Sequence, residues 1–126
     1  MNLVPLRIPG GWLVIKNTFY DVSPEVVNGR LSPPGVFVQD ILSIERRLFD
    51  GNAPPELDFV IDLGWLPDED PNGGYHLTLL RESWEHVIGT IESRDRSVIR
   101  DTLERWLELG AAATRPEDLV KALRQR

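Results

Sequence analysis

Phe59-Val60-Ile61-Asp62-Leu63-Gly64-Trp65, answered after a polar break by Tyr75-His76-Leu77-Thr78-Leu79-Leu80, is the stretch on which the fold turns. Both runs are short, rich in branched and aromatic residues, and bounded by turn formers, as strands are. The break between them holds Pro67-Asp68-Glu69-Asp70-Pro71-Asn72-Gly73-Gly74. Its turn chemistry predicts a hairpin whose loop is longer than the tight two-residue kind.

Downstream, Val87, Gly89 and Ile91 alternate within Trp84 to Ile91, predicting one more strand. The period then changes. After Ser93-Arg94-Asp95, the residues Ile99, Leu103, Trp106, Leu107 and Gly110 share one helical face, and Asp101 and Arg105 stand one turn apart. Gly110 with Ala111-Ala112-Ala113 is expected to end or bend that helix. Thr114-Arg115-Pro116-Glu117 has capping-box spacing with a first-turn proline, opening a second helix to Arg124.

Upstream, Pro9-Gly10-Gly11 separates two expected strands, residues 3–8 and 12–20, with Pro5 marking the first as an edge. Residues 21–36 read as a connection, with a short helical turn at Ser23-Pro24, a tight turn at Asn28-Gly29 and a break at Pro33-Pro34-Gly35. Residues 37–48 carry two periods. Phe37, Ile41, Ile44 and Leu48 fit a helix, whereas Leu42, Ile44 and Arg46 alternate, and a strand over 40–46 is preferred. Asn52-Ala53-Pro54-Pro55 is expected to be a loop. Strands over residues 3–91 and helices over 95–124 make the chain a single α+β domain: an antiparallel sheet of five to six strands with two C-terminal helices on one face.

The 126 residues suffice for one core without staples, and the absence of cysteine excludes disulfides, thiolate metal sites and cysteine nucleophiles. No run approaches a membrane span, and Arg7, Pro9 and Gly10-Gly11 interrupt any signal-peptide pattern, so the expected location is the cytoplasm. Charge is unevenly placed. Between Arg47 and Arg81 lie Asp50, Glu56, Asp58, Asp62, Asp68, Glu69 and Asp70 without a single Lys or Arg. Nearly all of the net charge of −6 arises there. Such a field repels nucleic-acid phosphates and attracts a basic partner.

Catalytic motifs are scarce. Asp68-Glu69-Asp70-Pro71-Asn72-Gly73 matches the first six positions of a calcium loop, but the twelfth, which should be a bidentate Glu, is Leu79, and the flanks read as strands. A plain turn is the preferred reading. His76 and His86 have no spacing that selects a zinc site, no nucleophile elbow or phosphate loop is present, and Asp58 with Asp62 shares a strand face without implying a pocket. No cofactor or metal is therefore expected, and binding is preferred to catalysis. Among the four tryptophans, Trp12, Trp65 and Trp106 read as core; Trp84, after Arg81-Glu82-Ser83, is the best candidate for an exposed anchor, although core packing is preferred there too.

Taken in order, Gly11-Trp12 with Asn17 and Phe19, Phe37 before Asp40-Ile41-Leu42, Ile61-Asp62-Leu63-Gly64-Trp65 with Pro67, Asp70-Pro71-Asn72-Gly73 with Tyr75 and Leu77, Trp84, and Ser93-Arg94-Asp95 ahead of Trp106-Leu107 form one pattern over roughly residues 10–108. It resembles the small immunity proteins of bacterial contact-dependent growth inhibition and related polymorphic toxin systems. The resemblance implies a stoichiometric inhibitor of a cognate protein toxin, such as a nuclease with a basic groove. Opposed fields raise association toward ~10⁸–10⁹ M⁻¹s⁻¹ at low salt, against ~10⁵–10⁶ without steering. Asp68, Glu69 and Asp70, with Asp58 or Asp62 nearby, would then face the toxin, and Trp84 or Tyr75 would anchor it. Asp62 also has an inward, hydrogen-bonded alternative. Two rivals stay open: an adaptor that self-associates through a strand edge, and a carboxylate- or metal-dependent enzyme. The sequence does not fix the oligomeric state.

Overall fold

The computed structural model describes residues 1–46, 59–81, 83–113 and 116–124. Asp58, the Asn52–Pro55 loop and the Thr114-Arg115 start of the second helix lie outside the described residues. The architecture is α+β. Strands β1 (Trp12–Asn17), β4 (Leu42–Arg46), β5 (Phe59–Leu66), β6 (Gly74–Arg81) and β7 (Ser83–Ser93) form a five-stranded antiparallel sheet in the order β1-β4-β5-β6-β7. Strands β2 (Glu25–Val27) and β3 (Arg30–Ser32) form a separate two-stranded hairpin. Helices α1 (Arg96–Ala112) and α2 (Pro116–Arg124) close the chain and pack against the sheet.

The period of two in the β5–β6 hairpin builds the core. Ile61 pairs with Leu79, Leu63 with Leu77 and Trp65 with Tyr75, while β4 adds Leu42 opposite Leu63 and Ile44 opposite Ile61. All eight side chains are buried on one face of the sheet. Helix α1 covers that face with Ile99, Leu103, Trp106, Leu107 and Gly110, the same five residues that the helical period selects. Asp95 caps α1 by accepting a hydrogen bond from the Ser97 amide at 2.8 Å. Arg96 then ties the helix to the loop before β2 through Asp21 (3.1 Å) and the Ser23 hydroxyl (3.0 Å). Asp101 pairs with the adjacent Arg100, not with Arg105.

Several expectations change. Residues 3–8 are not a strand; they contribute one isolated bridge, Leu3 with Tyr20. Residues 21–36 hold the β2–β3 hairpin, turned by Asn28 (φ 52°) and Gly29 (φ 76°), both in the left-handed region that an Asn-Gly pair tolerates. One holds: α1 ends within Gly110-Ala111-Ala112-Ala113, at Ala112 with Ala113 as its cap, and Gly110 itself is helical. It is small because the Trp12 ring lies on it, and a Cβ there would penetrate that ring. Trp12 fixes the contact by donating its indole N–H to the Leu107 carbonyl at 2.8 Å, joining edge strand β1 to the helix layer.

Candidate protein-binding surface

The alternation that buries Ile61, Leu63 and Trp65 turns Asp62 and Gly64 to the opposite face of the sheet. There the register sets Asp62 between Ser43 and Thr78, and Gly64 beside His76. The inward, hydrogen-bonded alternative for Asp62 is therefore incorrect: it faces away from the helices, and its Oδ1 is buried without a hydrogen-bond partner among the described residues. Burial, and secondly the negative charge of Asp40, push its carboxyl up to about 6. Arg46 also has buried polar atoms without a partner, Nε and Nη1, but it stands at the border of the described residues.

A cavity of about 230 Å³ opens over Asp62, lined by Gln39, Asp62, Gly64, Leu66, His76, Thr78 and Trp84. One wall is the backbone just before β4. It is held by hydrogen bonds from the Trp65 amide to the Val38 carbonyl (2.7 Å) and from the Ile41 amide to the Leu63 carbonyl (2.9 Å). Gly64 lets that backbone come close, because a Cβ there would collide with the Gln39 carbonyl. Trp84 is another wall. It is 64% exposed, so the preferred core role does not hold for this tryptophan. It stands on β7, an edge strand, on the side that no helix covers.

The acidic loop adjoins the same wall. Asp68 Oδ1 accepts the Gln39 amide at 2.6 Å, and the Glu69 amide donates to the Phe37 carbonyl at 2.9 Å. Asp70 Oδ1 accepts the Asn72 amide (2.8 Å), and the Asp70 carbonyl accepts both the Gly73 amide (2.9 Å) and the Trp65 indole N–H (2.9 Å). The carboxylates of Asp68 and Asp70 thus shape the loop as well as charging it. Glu69, exposed and with φ 55°, points its charge outward from a backbone secured on both sides. Arg94 braces the loop from β7's end, donating to the carbonyls of Pro71 (3.0 Å) and Gly73 and lying 5.1 Å from the Trp65 ring centroid. The calcium-like segment is a strand–turn–strand connection, and Leu79, at the twelfth position, is fully buried. Among the described residues no three His, Asp or Glu side chains group as a metal site would need.

Tyr75 is a correction. It is 1% exposed, enclosed by Phe19, Phe37 and Trp65 at centroid distances of 5.1–6.3 Å, and its phenol is pushed up to about 12 by burial. It packs the core and cannot anchor a partner. Of the residues read from sequence, the fold brings Asp62, Asp68, Glu69, Asp70 and Trp84 to one region, linked by Gln39, whose amide donates to the loop on one side and which lines the cavity on the other. Sequence reasoning missed Asp40 and Gln39; Asp40, 3.3 Å from Lys16, adds charge beside Asp62. A larger hollow of about 400 Å³ lies elsewhere, between Arg7-Ile8-Pro9 and Glu104 and Glu108 of α1, and its charges are of both signs.

The raised Asp62 pKa has a direct consequence for stability. The folded state binds this proton more tightly than the unfolded chain, whose ordinary value is 3.8. Its contribution is therefore greatest below about pH 4 and is lost as pH rises through about 6. Asp62→Asn removes the penalty and is expected to raise stability at pH 7–8 by on the order of 1–2 kcal/mol, allowing for solvent on the carboxyl's open side. Urea titrations at pH 4 and pH 8 check this: the gain should be present at pH 8 and vanish at about pH 4.

No helix among the described residues is long and apolar enough to cross a membrane. Comparison with protein-family models, with curated proteins and with solved structures finds no match.

Proposed function

We propose that this chain is a cytoplasmic immunity protein, which neutralises a cognate bacterial toxin by binding it through the face of the sheet opposite the helices. The observation that carries the reading is the convergence of an exposed indole, Trp84, with the acids Asp40, Asp62, Asp68 and Glu69 around the Gln39 backbone. An exposed aromatic beside a surplus of negative charge, Asp40 being paired with Lys16, suits a protein-binding surface: the aromatic supplies the anchor, and the charge guides a basic partner into register. Among the described residues no helix covers that face.

Co-expression with the toxin domain encoded beside this chain is the test. Growth rescue together with a stable one-to-one complex supports the reading, and continued toxicity without a complex overturns it for that pair. Within such a complex, Asp68→Asn, Glu69→Gln and Asp70→Asn together keep the loop's acceptor oxygens while removing three charges. Association at low salt is expected to slow by roughly tenfold, its salt dependence to shrink, and dissociation to stay nearly unchanged. Stopped-flow rates at two ionic strengths decide this.

One observation favours the self-association reading. Leu13, Val14 and Ile15 are exposed on β1, the other edge of the sheet. The register shift between Val14 and Lys16 counts against it, since an irregular edge is a poor template for another strand. Sedimentation over a range of concentrations separates the two readings.

A further inference from the structure

We infer that the cavity between Gln39 and Trp84 is a receptor for one arginine side chain of the protein partner, whose guanidinium would lie against the indole and donate to the Asp62 carboxylate. The inference rests on the reading that this face meets a basic protein.

Three features point to a planar cation. First, Asp62 lines an open cavity, and its Oδ1, itself out of reach of solvent, accepts no hydrogen bond from the described residues. A carboxylate in that position lacks compensation until a donor carrying positive charge arrives, and nearby Asp40 strengthens the attraction. Second, Trp84 offers its ring at the cavity's edge, and an indole is the best aromatic partner for a cation. Third, Gly64 has no side chain, and among the described residues the other polar groups at the wall, Gln39, His76 and Thr78, bring no second carboxylate to compete for the cation. The cavity's volume of about 230 Å³ is ample for a guanidinium head. Arginine suits it better than lysine, because a flat guanidinium stacks and forks at once, whereas an ammonium is a strongly hydrated point charge.

The test titrates the intact chain with Nα-acetyl-arginine amide and with its neutral isostere Nα-acetyl-citrulline amide, following the Trp84 indole and the Gly64 and Thr78 amides by NMR. Saturable shifts at those positions with the arginine probe, and none with the citrulline probe, are expected. Asp62→Asn should weaken binding by roughly ten- to a hundredfold. Trp84→Ala, at an exposed position that leaves the core intact, should weaken it by several-fold. An equal response to both probes, no saturable response, or unchanged binding in Asp62→Asn overturns the inference. In the toxin complex, the same loss of affinity in Asp62→Asn supports the assignment, and full affinity there overturns it. If the arginine probe binds as expected but no toxin complex forms, the immunity reading fails while the receptor stands.

Discussion

Trp65→Ala is expected to cost about 3–5 kcal/mol, the range for deleting a large buried aromatic side chain. Trp65 is fully buried, with ring centroids of Phe37 and Tyr75 at 5.0 and 5.1 Å and the Arg94 guanidinium at 5.1 Å. Its loss removes an aromatic cluster together with the indole hydrogen bond to the Asp70 carbonyl. A domain of this size is stable by roughly 5–15 kcal/mol, so the substitution removes a large share and lowers the melting temperature by roughly 10–20 °C. The loop should loosen too. Hydrogen exchange at the Glu69 and Gly73 amides, which donate to the Phe37 and Asp70 carbonyls, is expected to accelerate more than the global loss of stability explains. Trp65→Phe is the informative companion: it keeps much of the packing but deletes the indole donor, so its effect should be smaller on the core and comparable on the loop.

Gly64→Ala carries the second large effect, on the order of 3 kcal/mol or more. The added methyl would overlap the Gln39 carbonyl oxygen and lie 2.9 Å from the Gln39 carbonyl carbon. Those are backbone atoms, so no rotamer change relieves the overlap. The segment before β4 must move away, stretching the hydrogen bonds that join Val38 to Trp65 and Ile41 to Leu63. Gly10→Ala is the matched control, since a Cβ there meets nothing within 4 Å. Denaturant titrations of both variants test the point: a near-neutral Gly10→Ala beside a strongly destabilised Gly64→Ala is the expected pair, and equal effects would sink the close-approach argument.

These two positions show what the linear sequence discloses and what it does not. Trp65 is legible because it ends an apolar run in strand period, and the α1 face is legible because Ile99, Leu103, Trp106 and Leu107 follow helical period. Both patterns are local. Gly64 can be read as a strand glycine, but the backbone that presses on it comes from Gln39, and that proximity depends on strand order. Parity was the missed signal at Tyr75. Once Trp65 and Tyr75 are set opposite each other in the hairpin, Tyr75 must share the face of Leu77 and Leu79, and the same count turns Asp62 the other way. At Trp84 the run of residues was correctly a strand, but burial there depends on whether a helix covers that side of an edge. The β2–β3 hairpin had its Asn28-Gly29 turn in plain view. Its flanking strands, three residues each, are too short for a period to register.

The two-residue period of the strands also bears on how such a protein can change over generations. On β5 and β6, neighbouring codons serve different masters: one specifies a side chain locked among core aromatics, and the next specifies a side chain on the uncovered face. Substitutions at Asp62 or His76 therefore alter the chemistry of that face while the residues that hold the sheet together stay fixed. The character of one whole face can thus be rewritten one alternate position at a time, without passing through an unfolded ancestor.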